Sequence, residues 1–282
     1  MYNRIAIPLD GSPTAYTALP IGQRLALQHG ATLLLVVVAT DETINAESIF
    51  DEARSQLNKD LKISTLVIPH EDPTEALSDF DAGDPSTLLC MSTRGRGLLR
   101  RALLGSTAMS VVERSPHGVV LVGPHCDLEI TSAFDPIILC LDGSREAEQI
   151  IEWAAAWSRS TQCSLLLLRV VYPIGAPGQG DPPSSKFRAE LEYLATVAER
   201  LEAQGLDLRH VTLAHENPSV AIEEATRHHT DGLIAVATSH RGPVAEFLLG
   251  SVAADVIRQS RSPILILSRE GTIAPPGIRD HN

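Results

Sequence analysis

IAIPLDGS, residues 5–12, is written a second time as IILCLDGS, residues 137–144. Each copy is an apolar run closed by Asp-Gly-Ser, the form of a buried strand that ends in a tight turn. Asp10 faces Asp142 at a separation of 132 residues, and the same separation pairs TLLLVVV from Thr32 with SLLLLRV from Ser164. Further on the separation becomes 145, and it holds without a gap from HEDPTEAL (His70) against HENPSVAI (His215) to Val122 against Leu267. The 13 extra residues fall in YPIGAPGQGDPPSS, 172–185, a Gly/Pro stretch of the second half with no counterpart in the first. The chain is therefore a tandem duplication. The extra stretch reads either as a linker or as a lid over a second site.

Within the first half, apolar runs at 5–9, 33–38, 65–68, 87–91 and 119–122 alternate with helical stretches. Near-continuous Val/Ile/Leu strands of this kind belong to parallel sheets covered on both faces. Asp72-Pro73 and Asn217-Pro218 each set an N-cap residue before proline at the first helical position, and Ser12-Pro13 is expected to do the same. The expected fold is α/β: two tandem doubly wound domains, each a mostly parallel five-stranded sheet with helices on both faces. The domains are placed at 1–125 and 134–270, with a linker around 123–136 and a flexible tail at 271–282.

Hydrophobic residues make up 44% of the 282, enough for a sizeable core, and the net charge is -12. An acidic balance argues against broad nucleic-acid or anionic-membrane binding. No apolar run reaches the roughly 18 residues that span a bilayer, and MYNRIAIPLDGS has no signal-peptide architecture. Cys90, Cys126, Cys140 and Cys163 form no CxxC pair, and Cys90 and Cys140 lie in apolar runs as buried thiols. A cytoplasmic location is expected.

Chemistry is expected beyond the carboxyl ends of the strands, where the strand order reverses. STRGRGLLRRALLGS, 92–106, follows the fourth strand there. A helix beginning at Gly105-Ser106 offers unpaired N–H groups to a phosphate. Gly95, Gly97 and Gly105 admit close approach of the backbone, Ser106 and Thr107 add hydroxyls, and Arg94, Arg96, Arg100 and Arg101 add charge. Composition alone fits a solvated Gly-Arg loop as well, since neither GxxxxGK[ST] nor GxGxxG is present.

Each half resembles a universal stress protein domain, and the whole chain resembles the tandem form of that family. The family's nucleotide motif is G-x-x-G, nine residues, then G-[S/T] after the fourth strand. Ser92 stands at the first glycine position and Gly95 at the second, and 96–104 lead to Gly105-Ser106. The resemblance implies an adenine nucleotide alpha hydrolase-like fold that binds ATP, with or without Mg2+. It assigns Pro8, Leu9, Asp10 and Val38 to the adenosine end and Ser92, Arg94, Gly95, Arg96, Gly105, Ser106 and Thr107 to the phosphates. Asp142, Val170, Gly250 and Ser251 are the matching residues of the second half. That half departs from the motif: Ala237 and His240 replace the leading glycines, and Arg241 is offset by Glu246. A side chain forced to positive φ at position 240 costs about 1–2 kcal/mol. The first half is therefore the expected main site. The resemblance also implies that the last strands, 119–122 and 264–267, join the halves as an intrachain pseudo-dimer, with a homodimer of chains beyond it.

Other polar features carry plainer expectations. His70-Glu71 and His215-Glu216 lack the HExxH spacing of a zinc site and read as polar residues before an N-cap. Trp153 and Trp157, four apart, read as packing or as a seam between domains. No catalytic set accompanies the DGS aspartate. The expected function is an adenine-nucleotide-binding regulatory protein of the stress-response type, not an enzyme beyond weak ATPase activity. A module of the same fold that binds no nucleotide, or a nucleotide-cleaving enzyme, are the alternatives left open.

Overall fold

The duplication dictates how the strands line up. The structure, a computed structural model, describes residues 2–93, 105–129, 132–173, 185–237 and 251–267. In the first half β1 (Arg4–Pro8) is followed by a 3-10 turn (Ala15–Thr17), α1 (Ala18–His29), β2 (Thr32–Ala39) and α2 (Ala46–Ser55). Then come β3 (Ile63–Pro69), α3 (Pro73–Ala82), β4 (Thr87–Ser92), α4 (Ser106–Arg114) and β5 (Val119–Val122). The second half repeats this with β6 (Ile137–Cys140), α5 (Arg145–Thr161), β7 (Leu165–Val171), α6 (Ser185–Glu202) and β8 (Leu208–Ala214). It closes with α7 (Pro218–Thr226), β9 (Leu233–Ala237), α8 (Ser251–Gln259) and β10 (Ile264–Leu267).

The strands form a single ten-stranded sheet in the order β3-β2-β1-β4-β5-β10-β9-β6-β7-β8. Neighbours within each half are parallel. The join is antiparallel, with Ile264 opposite Leu121, Leu265 opposite Val120 and Ile266 opposite Val119. The expected pairing of the last strands is thus present within the chain. Because the join is antiparallel, the carboxyl ends of the two halves' strands point to opposite rims of the sheet.

Local signals act as expected at most helix starts. The Asp72 carboxylate accepts the Thr74 N–H at 2.7 Å, and Asn217 Oδ1 accepts the Ser219 N–H at 3.1 Å. Each cap is itself held by the preceding histidine. His70 Nδ1 accepts the Asp72 N–H at 3.0 Å, and His215 Nδ1 the Asn217 N–H at 2.8 Å. Ser12-Pro13 behaves differently: Ser12 Oγ accepts the Ala15 N–H at 3.2 Å and opens the 3-10 turn, so α1 starts only at Ala18. Its counterpart Ser144 caps α5 directly, accepting the Ala147 N–H at 3.1 Å.

Apolar layers cover both faces and run through both halves. One contains Trp153 and Trp157, which confirms them as seam residues. Trp153 Nε1 donates to Tyr2 Oη at 2.9 Å. The His29 ring stands edge-on to Tyr2 and Trp157, at centroid distances of 5.5 and 4.4 Å. Burial lowers the His29 pKa to about 4, so the ring is neutral at ordinary pH. Beside this cluster Arg24, 5% exposed, stacks 3.6 Å above the Phe134 ring. Its guanidinium donates to the carbonyls of Ala133 at 2.6 Å and Asp231 at 3.1 Å. The linker is thereby packed into the core at Phe134. Cys90 is buried, whereas Cys140 is half-buried, packed against the α3, α4, α7 and α8 face. Burial pushes its thiol up to about 12. No helix among the described residues is long and apolar enough to cross a membrane.

Two substitutions test the join between the halves. Gly118 has φ +85°, and a Cβ there would strike Leu267 Cδ2 and lie 3.1 Å from Ile266 O. Gly118→Ala is expected to lower stability by about 2–3 kcal/mol in urea unfolding. Arg24→Ala removes two charge-assisted hydrogen bonds and a stacked ring, a loss of about 3 kcal/mol by the same measurement. A midpoint equal to that of the parent would refute either assignment.

Candidate functional site

The strand order reverses between β1 and β4 in the first half and between β6 and β9 in the second. Each reversal leaves a crevice at the carboxyl ends, where the connecting segments diverge to opposite faces. In the first half Asp10 follows β1 directly. Its Oδ1 accepts from both the N–H and the hydroxyl of Ser12, at 2.9 and 2.6 Å. Gly11, at φ 77°, makes this tight return possible. The Asp-Gly-Ser signature is therefore an aspartate-braced turn, with Asp10 half-buried at the rim of the crevice. Pro8 closes β1 opposite Val36, and Leu9 is buried just beyond it. Val38, near the end of β2, is half-buried on the α3 and α4 face.

The other wall is built by β4 and α4. Ser92, the last residue of β4, pairs with Val122 of β5. Thr93 is 2% exposed; its N–H donates to Val122 O at 3.0 Å and its carbonyl accepts the Gly105 N–H at 2.7 Å. Residues 93 and 105 are thus clasped by backbone. Gly105 is the N-cap of α4, at φ -64° and ψ 152°, and provides no side-chain acceptor. By contrast α2, α3, α5 and α7 are capped by Asn45, Asp72, Ser144 and Asn217. Among the described residues no side chain caps α4, so its first turn presents backbone N–H groups, the positive helix end, and the side chains of exposed Ser106 and half-buried Thr107.

In the second half the Asp142 turn repeats the first: Asp142 Oδ1 accepts the Ser144 N–H at 2.9 Å, with Gly143 at φ 81°. What lies beneath it differs. Arg169 occupies the position of Val37 in the repeat and is 7% exposed. Its guanidinium pairs with Glu190 of α6 and lies 4.4 Å over the Tyr193 ring. A Cβ at Gly143 would come within 2.5 Å of that guanidinium, so glycine is needed for space as well as for φ. Tyr193 Oη donates to Glu148 Oε1 at 3.0 Å. Burial and the nearby Glu148 carboxylate hold the Tyr193 hydroxyl above its ordinary pKa. The first half has a related bond with the roles exchanged, Tyr16 Oη of the 3-10 turn donating to Glu52 Oε2 of α2 at 3.2 Å.

The structure brings Pro8, Leu9, Asp10, Val38, Ser92, Gly105, Ser106 and Thr107 to the carboxyl-end rim of the first half. Asp142, Val170 and Ser251 stand at the matching rim of the second. Arg94, Gly95, Arg96 and Gly250 lie outside the described residues, as do positions 174–184 of the insertion and the tail. The Thr93–Gly105 clasp and the Arg169 cluster were not foreseen. A signal for Arg169 did exist, since it is one charge inside an apolar strand whose repeat carries valine.

Comparison with known proteins bears on this arrangement. A model of the universal stress protein family matches residues 1–123 and again 133–268. A Thermus aquaticus protein named as a universal stress protein is 32% identical over 137 residues, covering 43% of this chain and 99% of its own. A universal stress protein of Mycobacterium bovis is 24% identical over 238 residues, covering 82% of this chain and 75% of its own. Among solved structures, a universal stress protein from Archaeoglobus fulgidus shares the fold at a TM-score of 0.67. The two are 20% identical, over 95% of this chain and 99% of that one. With the family model matched once in each half of a duplicated, doubly wound fold, the chain belongs to the universal stress protein family in its tandem two-domain form.

Proposed function

We propose that the first half binds an adenine nucleotide, ATP with Mg2+ carried on its phosphates, and that the protein acts as a nucleotide-responsive regulator of the stress-response type. The observation that carries this is the uncapped amino end of α4, set beside the strand reversal and clasped to Thr93. A helix end without a side-chain acceptor suits an anion. Asp10 and Val38 stand on the β1–β2 side, where the adenosine end would lie. Ser92, Ser106 and Thr107 would face the phosphates together with Arg94, Gly95 and Arg96. Asp142, Val170, Gly250 and Ser251 would form a weaker second site at the opposite rim.

The same reading makes the protein a binder with at most slow hydrolysis, located in the cytoplasm. It divides the chain at 1–125 and 134–270, with 271–282 as a tail. Since β5 and β10 are already paired within the chain, a homodimer would form through another surface.

Gly105 has an ordinary negative φ, so Gly105→Glu tests charge and bulk at the helix end without backbone strain. It is expected to weaken ATP binding by about 10- to 100-fold in calorimetric titration with magnesium. Gly250→Glu should leave the main affinity in place. The opposite pattern would move the site to the second half, and no titration of the parent protein would favour a module that binds no nucleotide. Multiple turnovers per minute would overturn the non-enzyme assignment.

A further inference from the structure

In the first half a carboxyl group is buried where the second half has a hydroxyl. Asp81, in the last turn of α3, is 0% exposed. Its Oδ2 accepts the Ser115 hydroxyl at 2.6 Å, while Oδ1 has no hydrogen-bond partner among the described residues. Ser115 is the C-cap of α4. The carboxyl therefore sits at the carboxyl-terminal ends of two helices, where the backbone already carries partial negative charge. At the repeat separation of 145 residues, Thr226 replaces Asp81 and Ser260 replaces Ser115. Both are buried and neutral; Thr226 Oγ1 donates to Glu223 O at 3.2 Å and Ser260 Oγ to Ser262 O at 3.0 Å.

The surroundings offer Asp81 little compensation. His117 stands on the turn after α4, and burial holds its pKa below the ordinary value. Its Nε2 is buried without a hydrogen-bond partner among the described residues. Tyr2, ahead of β1, is kept protonated by burial. Arg4, at the start of β1, and Asp84, in the turn between α3 and β4, are paired with each other. Asp79 of α3 and Arg114 of α4 are exposed. No ion pair to Asp81 occurs among the described residues.

We propose that Asp81 is a proton-operated latch between α3 and α4, closed when protonated and loosened when ionised, and that it acts on the first half alone. Protonated, the carboxyl keeps the Ser115 hydrogen bond without adding charge to the two helix ends. Ionised, it places a full negative charge in a site built from negative ends and a single donor. α4 is the same helix whose amino end forms the phosphate wall, so acidification firms the base of that wall. The latch itself needs no ligand.

The direction of the effect follows from linkage. Burial raises the carboxyl from 3.8 to about 6. A folded value above the unfolded one means that the stabilisation is full below about pH 4 and lost as pH rises to about 6. It is constant beyond that point. Within the window the opening constant of the α3–α4 contact grows about tenfold per pH unit.

The test is amide hydrogen exchange on the full chain without nucleotide, from pH 4.5 to 7.5, corrected for intrinsic rates. Amides of α8 serve as the internal reference. In the parent protein, α4 protection relative to α8 should fall on the order of 10- to 30-fold between pH 4.5 and 6.5. In Asp81→Asn the ratio should stay flat, as it should in Asp81→Thr, which installs the residue of the second half. A parallel fall in the parent and both variants would overturn the latch. So would a carboxyl carbon resonance of Asp81 in the parent protein that titrates at or below pH 4, a measurement that requires no variant to fold.

Discussion

A parallel sheet of five strands ends in an edge that exposes unpaired N–H and C=O groups. Here the last strand of each half meets that of the other, and three antiparallel pairs between β5 and β10 close both edges at once. The register is crowded enough that Gly118 must lack a side chain to let Leu267 pass. Other large features follow from this contact. It turns two sheets into one, brings α1 against α5, and buries the aromatic group of Tyr2, His29, Trp153 and Trp157 between them. It also sends the two crevices to opposite rims, so a ligand in one has no direct contact with a ligand in the other.

Duplication supplied two copies of one design, and burial shows where they have diverged. Beneath the first turn of the second half, Val37 has become Arg169, with Glu190 and Tyr193 arranged to receive it. A buried guanidinium without such partners would be strongly destabilising. The exchange of Tyr16–Glu52 for Glu148–Tyr193 keeps a tyrosine–glutamate hydrogen bond between the segments that follow the first and second strands of each half, with donor and acceptor swapped. On the other face, Asp81 of the first half stands against Thr226 of the second. These differences change the chemistry of single residues and leave the apolar layers of both halves in place.

Much of the architecture was legible because it rests on patterns of short range. IAIPLDGS and IILCLDGS, at a fixed separation, announced two copies of a strand and turn. The Val/Ile/Leu runs announced a covered parallel sheet, and Asp72-Pro73 and Asn217-Pro218 marked helix starts that the hydrogen bonds bear out. Ser12-Pro13 misled by a few residues because the aspartate-braced turn first winds the backbone into a 3-10 turn. Of the candidate site, the Asp10 turn and the amino end of α4 were visible as motifs.

The tertiary structure alone decided what those motifs are set against. Sequence separation cannot say that Thr93 clasps Gly105, that Phe134 lies under Arg24, or that one oxygen of Asp81 meets Ser115 while the other has no hydrogen-bond partner among the described residues. Such contacts join residues from a dozen to more than a hundred positions apart, and their strength depends on burial, which local composition does not encode. The sequence by itself determined the duplication, the strands, the class of fold and the family likeness, because apolar period and turn chemistry are local. The charged group sealed beneath the second crevice was decided when that half folded, and the antiparallel join and the opposite placing of the crevices only when the two halves packed together.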